Sequence, residues 1–474
     1  MGFKDLHGFI RRLDEEGELA RIAAPVDPSL EIAEITDRIS KSPSGGKALL
    51  FENVRGSDFP VATNIFGSPR RICLALGADK LNDLSLRMER LLSRASCPAK
   101  SDDGGETALI SGLSRFAPVG VEYGPCREVF EYRPDLDIFP VLKNFVGDGG
   151  PDREGRFITL PMVITRDPDT GTPNCGMYRV EVIGKEKLSI HWRETSGGAG
   201  HWWKYRERGE SMPVAVALGG DPAMIFAASF PLPESVDEMA FAGFLRGEPV
   251  SILSCLTNNL KVPAMAEMVA EGFIEPGEAC FGGAFGNHTG FYDPPRPVPV
   301  MRLSCITRRR DMVYPATVVG RPPMEDCWLA KAWERLLLPI IRLELPEVVD
   351  LNMPLEGIFH GCAVVAVKKE GAGHPREVME KIWRGRLLGN ARLLVVVDAD
   401  ADVGDISLVA WKVINLVDWE KDMILDDNVH SGRIGLDATR KCGLPRGEVA
   451  FPGEISRGQL LMEMVDKKWR EYGL

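Results

Sequence analysis

Apolar residues at positions 6, 9, 10 and 13 of the opening stretch MGFKDLHGFIRRLDEE fall three and four apart, which predicts an amphipathic helix. Strand-like runs follow at 48–51 and 60–62, and a helical pattern covers 79–92. The polar, glycine-containing segment 99–106 (AKSDDGGE) predicts an exposed connection. From about residue 122 to 319 the period shortens. Apolar, β-branched runs at 157–165, 179–183, 213–218, 250–255 and 298–307 alternate with glycine and proline turns, the pattern of a β-barrel or sandwich. Helical inserts are predicted at 202–208 and 236–245. Beyond Gly320, helical stretches at 328–337, 375–388 and 407–414 alternate with buried strand patterns at 361–367 and 391–397, which predicts a parallel sheet covered by helices. A last helix, over 457–472, is expected to pack on its own domain or to reach a neighbouring subunit. The division is an N-terminal α/β segment at 1–112, a β-rich domain at 113–325 and a C-terminal α/β domain at 326–474.

Composition narrows the function classes. A length of 474 residues suits two or three domains, and a net charge of −11 argues against a nucleic-acid partner, which needs a basic surface. No run approaches the roughly 20 apolar residues of a membrane span, and the first helix lacks a signal-peptide core. Position 6 is Leu6, so the myristoylation pattern after Gly2 fails. Ten cysteines are scattered without a CxxC pair, which points to free thiols in a reducing cytoplasm rather than to zinc. Neither GxGxxG nor GxxxxGK[ST] occurs, so Rossmann and P-loop enzymes are poor alternatives.

Candidate chemistry sits in two clusters. The first holds Asn174, Arg179 and His191, which offer a carbonyl oxygen, a fixed fork of donors and an imidazole nitrogen. A turn asparagine, a salt-bridged arginine and a surface histidine would look the same. In the second, Ser235 and Glu238 stand three apart, as in a capping box, so Glu238 either caps its own helix or faces inward toward a cation. Glu271, Glu275 and Glu278 are expected as solvated charges around a helix end and turn.

The motifs NCGMYR, IGKEKL, ALGGDPA, PLPESVDEMAFAGFLRG, NNLKVPAMAEMVAEGFIEPGE, GNHTGFY, VVGRPP, VKKEGAGH and GLDAT occur in that order. Together they closely resemble the UbiD family of decarboxylases over essentially the whole chain. The resemblance implies an α/β (overall α+β) fold whose central domain is a split β-barrel holding prenylated FMN and whose C-terminal domain oligomerises. It implies Mn²⁺ or Mg²⁺ on Asn174, His191 and Glu238, and a K⁺ ion. It also implies cofactor contacts from Met177, Tyr178, Arg179, His191, Trp192 and Arg193, with a phosphate contact from Lys368 or Lys369. Arg179 matches the arginine that faces the substrate carboxylate. Implied partners are an aromatic substrate with CO₂, a flavin prenyltransferase as cofactor supplier, and further subunits, either of this chain (dimer or hexamer) or of related UbiD-like chains.

Two departures stand out. Thr195-Ser196 precede the double glycine where the family has a basic residue. The family's EGPFG[DE] loop aligns on Gly282–Asn287, so the two acids are replaced by Gly282 and Asn287, neither of which transfers a proton near neutral pH. Three expectations follow. One is a carboxylation that needs no protein acid, such as that of phenyl phosphate, with Asn287 positioning a water or substrate oxygen. A second is an ordinary aromatic-acid decarboxylase with His288 or an Asn287-held water as proton donor. The third is a non-catalytic subunit of a hetero-oligomeric carboxylase.

Overall fold

The computed structural model describes all residues except 1, 95–103, 151, 359, 372, 386–387, 390, 427–431, 442–454, 456 and 474. The first helix, Leu6–Glu15, is capped by Asp5, whose carboxylate accepts the Gly8 amide. It buries Leu6, Phe9, Ile10 and Leu13, the four residues whose spacing predicts it. It lies on a four-stranded sheet of Leu19–Ile22, Ala48–Phe51, Val61–Thr63 and Tyr314–Pro315. The last of these strands comes from near the end of the central domain and ties the two domains together. Most of the segment expected to be an exposed connection lies outside the described residues, but its end starts the helix Gly104–Leu113.

The central domain is a nine-stranded sheet whose main path runs from Phe157–Ile158 to Pro173–Gly176. Those two end strands do not pair with each other, so the sheet is curved but open, as a split barrel requires. Its longest strand, Met268–Phe281, corrects the expectation of a helix end and turn there. Glu271 is buried on it and accepts amides from Leu256 and Thr257. Glu275 accepts from Ser211, and Glu278 holds Arg302 through two hydrogen bonds. Glu271 is thus a buried, fixed partner, whereas Glu275 is exposed, as expected, and Glu278 is half-buried against Arg302.

The C-terminal domain has a five-stranded sheet in which Cys362–Val367, Leu393–Asp398 and Ile434–Asp437 run parallel. A 20-residue helix, Glu325–Glu344, enters it from the central domain and packs against the helix Asn82–Ser93. One continuous core therefore includes residues of all three domains. The last helix, Gln459–Lys468, buries none of its residues, and Leu460, Met462 and Trp469 are exposed. No helix among the described residues is long and apolar enough to cross a membrane.

Candidate active site

A cavity of about 1090 Å³ lies between the central sheet, the helix Glu325–Glu344 and the C-terminal domain. Arg179 starts the strand Arg179–Gly184, which pairs with Lys187–His191 so that Arg179 stands opposite His191. Both residues line the cavity, as do Asn174, Met177, Tyr178, Arg193, Glu238, Asn287 and His288. Trp192 is buried beside Tyr178, with ring centroids 6.1 Å apart, and Lys368 and Lys369 are not among the lining residues. The Lys369 ammonium instead donates to Thr439 Oγ1 at 2.8 Å and to the Arg440 carbonyl. The lysine motif and the GLDAT motif are thus joined to each other.

The Arg179 guanidinium stacks over the Phe285 ring at 4.6 Å and forms an ion pair with Asp293. Asp293 also accepts the Asn287 amide, Nδ2 to Oδ1, at 2.7 Å. Burial pushes the Asp293 carboxyl up, but the Arg179 charge and these hydrogen bonds outweigh it, leaving its pKa below the usual carboxylate range. Sequence reasoning missed Asp293 because it lies one residue beyond the glycine-rich stretch. The hairpin signal was there: Phe285–Gly286 pairs with Tyr292–Asp293, which sets Asp293 opposite Phe285.

Asn174 and Glu238 come together across one residue. Glu238 Oε2 accepts the amide of Cys175 at 3.1 Å, and Tyr178 Oη meets Asn174 Oδ1 and the Gly198 amide, each at 3.4 Å. The capping-box reading of Glu238 is not what the helix shows. Asp237 is the N-cap, accepting the Met239 amide at 2.8 Å, and Glu238 is the first helical residue. Ser235 donates to Glu106 instead. Burial pushes the Glu238 carboxyl up to about 8.

His191 has other neighbours. Its Nε2 lies 3.3 Å from Ser189 Oγ and 3.4 Å from Glu181 Oε2, and its ring meets Phe157 edge-on. Glu181 is fully buried and also accepts the Gly283 amide at 2.9 Å. The glycine pair is packed tightly on this group. A Cβ on Gly282 would come within 2.4 Å of His191 Cε1, and one on Gly283 within 2.6 Å of Glu181 Oε1. Among the described residues no three His, Cys, Asp or Glu side chains converge as a metal site. An asparagine carbonyl such as that of Asn174 stands outside that count.

Two further cavity residues escaped sequence reasoning. His360, from the C-terminal domain, meets His288 through their Nε2 atoms at 2.9 Å. Burial, then nearby positive charge, pushes His288 down to about 3 and His360 to about 4, so both rings are neutral near pH 7. Asp326 faces the cavity from the first turn of the helix Glu325–Glu344, in line with Leu329, Trp333 and Leu337 at helical spacing. Burial, then the neighbouring Glu325, pushes its carboxyl up to about 7.

An open nine-stranded sheet flanked by two α/β domains, with an arginine–carboxylate pair in the cavity between them, is a recognised enzyme architecture. Three domain models of the 3-octaprenyl-4-hydroxybenzoate carboxy-lyase match in order: the N-terminal domain over residues 10–91, the Rift-related UbiD domain over 118–322 and the C-terminal domain over 327–439. Uncharacterized proteins of Archaeoglobus fulgidus and Aquifex aeolicus are 42% and 39% identical to the chain, the first over 99% of both chains and the second over 100% of both. Among solved structures, an evolved dimeric form of the UbiD-class enzyme HmfF from Pelotomaculum thermopropionicum in complex with prFMN matches with a TM-score of 0.80 at 26% identity, covering 98% of this chain and 100% of that one. The closed form of the vanillic acid decarboxylase of Sedimentibacter hydroxybenzoicus shares the fold, with a TM-score of 0.85 at 24% identity over 100% of this chain and 99% of that one. The chain belongs to the UbiD family and is an enzyme of the carboxy-lyase class.

Proposed function

We propose that the chain is a prenylated-FMN-dependent reversible aromatic carboxylase/decarboxylase. The observation that carries this reading is the Arg179–Asp293 pair, which places a permanent cation on the wall of a cavity large enough for a flavin and a small aromatic acid. The donor set fits the cofactor. Arg179 Nε and Trp192 Nε1 are buried without a hydrogen-bond partner among the described residues, and Asn174 and Glu238 offer oxygen donors of the kind Mn²⁺ or Mg²⁺ takes. A K⁺ ion is proposed on the family resemblance alone. Asn174 and Glu238 would hold the divalent metal, with His191 as the imidazole of the expected set; Met177, Tyr178 and Arg193 would flank the flavin. When bound, the prenylated flavin supplies the electron sink that lets the C–CO₂ bond break or form.

The chain's own residues orient and exclude. Arg179 binds the carboxylate or CO₂ with a fork that neither titrates nor reorganises. Leu329, Trp333 and Leu337 form an apolar wall that keeps water from the aromatic ring. Asp326, with a pKa near neutrality, is the cavity group best matched to hold and release a proton. Neutral His288 is a hydrogen-bond partner of His360 rather than an acid.

Carboxylation of phenyl phosphate is the second reading, favoured by the absence of an acid at both Gly282 and Asn287. Co-expression with a flavin prenyltransferase tests the first claim. Purified protein should carry flavin absorbance and manganese, and a colourless, metal-free product would sink it. CO₂ release from vanillate by that protein favours decarboxylation, whereas turnover confined to phenyl phosphate with CO₂ favours the second reading.

A further inference from the structure

The glycine-rich loop lacks acids at 282 and 287, yet Arg179 does not lack a carboxylate. Asp293 lies in the hairpin formed by Phe285–Gly286 and Tyr292–Asp293, directly across from Phe285. That register places the ring beneath the guanidinium and the carboxylate beside it on neighbouring strands of one small ladder. Asn287, at the hairpin's turn, ties the arrangement down: Nδ2 donates to Asp293 Oδ1 at 2.7 Å and Oδ1 accepts the Thr289 amide at 2.8 Å. Asn287 is buried, and its amide is engaged at both ends within the loop. One nitrogen of the fork, Nη2, is thus taken by Asp293, while Nη1 makes no hydrogen bond to a described residue.

We propose that Asp293 is the positioning residue for Arg179, and that the carboxylate expected at 287 has moved across a single hydrogen bond to 293. Asp293 is an ionised acceptor and donates no proton. It holds the guanidinium flat on Phe285 so that the remaining donors meet the substrate carboxylate in one orientation. The inference rests on the carboxylase/decarboxylase reading of the same cavity.

The structure itself suggests the test. Asn287 and Asp293 are hydrogen-bonded to each other, so the exchange variant N287D/D293N keeps the pair and moves the charge back by one side chain. In crystals of the flavin-free protein, Arg179 should leave Phe285 in D293N and return in N287D/D293N. With cofactor loaded, and with vanillate and 3,4-dihydroxybenzoate as probes, D293N should lower kcat on the order of 10- to 100-fold. Flavin content should stay unchanged, and the exchange variant should regain most of the loss. An Arg179 that stays in place in D293N, or a D293N enzyme with undiminished kcat, would overturn the proposal. So would an exchange variant that recovers neither geometry nor rate. If wild-type protein releases CO₂ from neither probe, it is the broader reading that fails, and the Arg179 position in the flavin-free crystals still decides the role of Asp293.

Discussion

Gly282 has no room to be anything larger. Any side chain there would start 2.4 Å from His191 Cε1, and His191 is held by Ser189 and the buried Glu181. Gly282→Ala should therefore cost about 1–3 kcal/mol, the range for overpacking a tight site; equilibrium denaturation measures it. A stability equal to wild type would mean the loop yields easily and can accommodate an acid. Asp326 makes a pH prediction. Its folded pKa of about 7 lies above the ordinary 3.8, so the native state binds the extra proton between those values. Relative to Asp326→Asn, the wild type should lose roughly 1 kcal/mol per pH unit as pH rises from 4 to 7, and the difference should be flat above that. Denaturation of both proteins at pH 5, 6 and 8 checks the sign. At this scale the sequence was a partial guide. That Asn174, Arg179 and Glu238 share one cavity is legible because each sits in a dense local motif. Asp293, His360 and Asp326 are not, since their meaning depends on a hairpin register, a contact between domains and the direction of one helix face.

Elements were easier to foresee than their joins. The helix Leu6–Glu15 follows from its period, because it buries one well-defined face, and the strands Ala48–Phe51 and Met212–Leu218 follow from short continuous apolar runs, because they are buried along their whole length. The strand Met268–Phe281 was hidden by its own charges: Glu271 and Glu278 look solvent-facing until their partners Thr257 and Arg302 are in place, and Glu275 is indeed exposed while bonded to Ser211. The short strand Tyr314–Pro315 could not be assigned from sequence to the N-terminal sheet, since that pairing joins residues some 250 apart in the chain. At the other end, the helix Gln459–Lys468 presents Leu460, Leu461, Met462 and Met464 without burying any of them. Such a face is expected to be covered by a second copy of the chain. Removing residues 457–474 should shift the molecular mass measured by light scattering to that of a monomer, with cofactor uptake retained. A truncated protein of unchanged oligomeric state would assign the helix another role.

For the whole molecule, the proposed anionic cofactor and anionic substrate would meet an acidic chain with a net charge of −11, so positive charge has to be local. Arg179, Arg193 and Arg296 line the cavity, and the proposed metal on Asn174 and Glu238 would supply the rest. Glu238→Ala should then abolish both metal and flavin binding. If the residue merely began its helix, the change would cost only a few tenths of a kcal/mol to ~1 kcal/mol of stability, and flavin absorbance after co-expression distinguishes the two. The central claim is that this cavity makes and breaks the bond between an aromatic carbon and CO₂, with Arg179 as the carboxylate anchor. The most direct measurement is exchange of ¹³C from labelled bicarbonate into the carboxyl group of vanillate and 3,4-dihydroxybenzoate, made on cofactor-loaded protein and on Arg179→Ala. The account predicts label in the carboxyl carbon of at least one acid, in proportion to bound flavin, and on the order of 100-fold less with Arg179→Ala. Flavin-loaded protein that exchanges label into neither acid, or exchange that survives unchanged in Arg179→Ala, would contradict it.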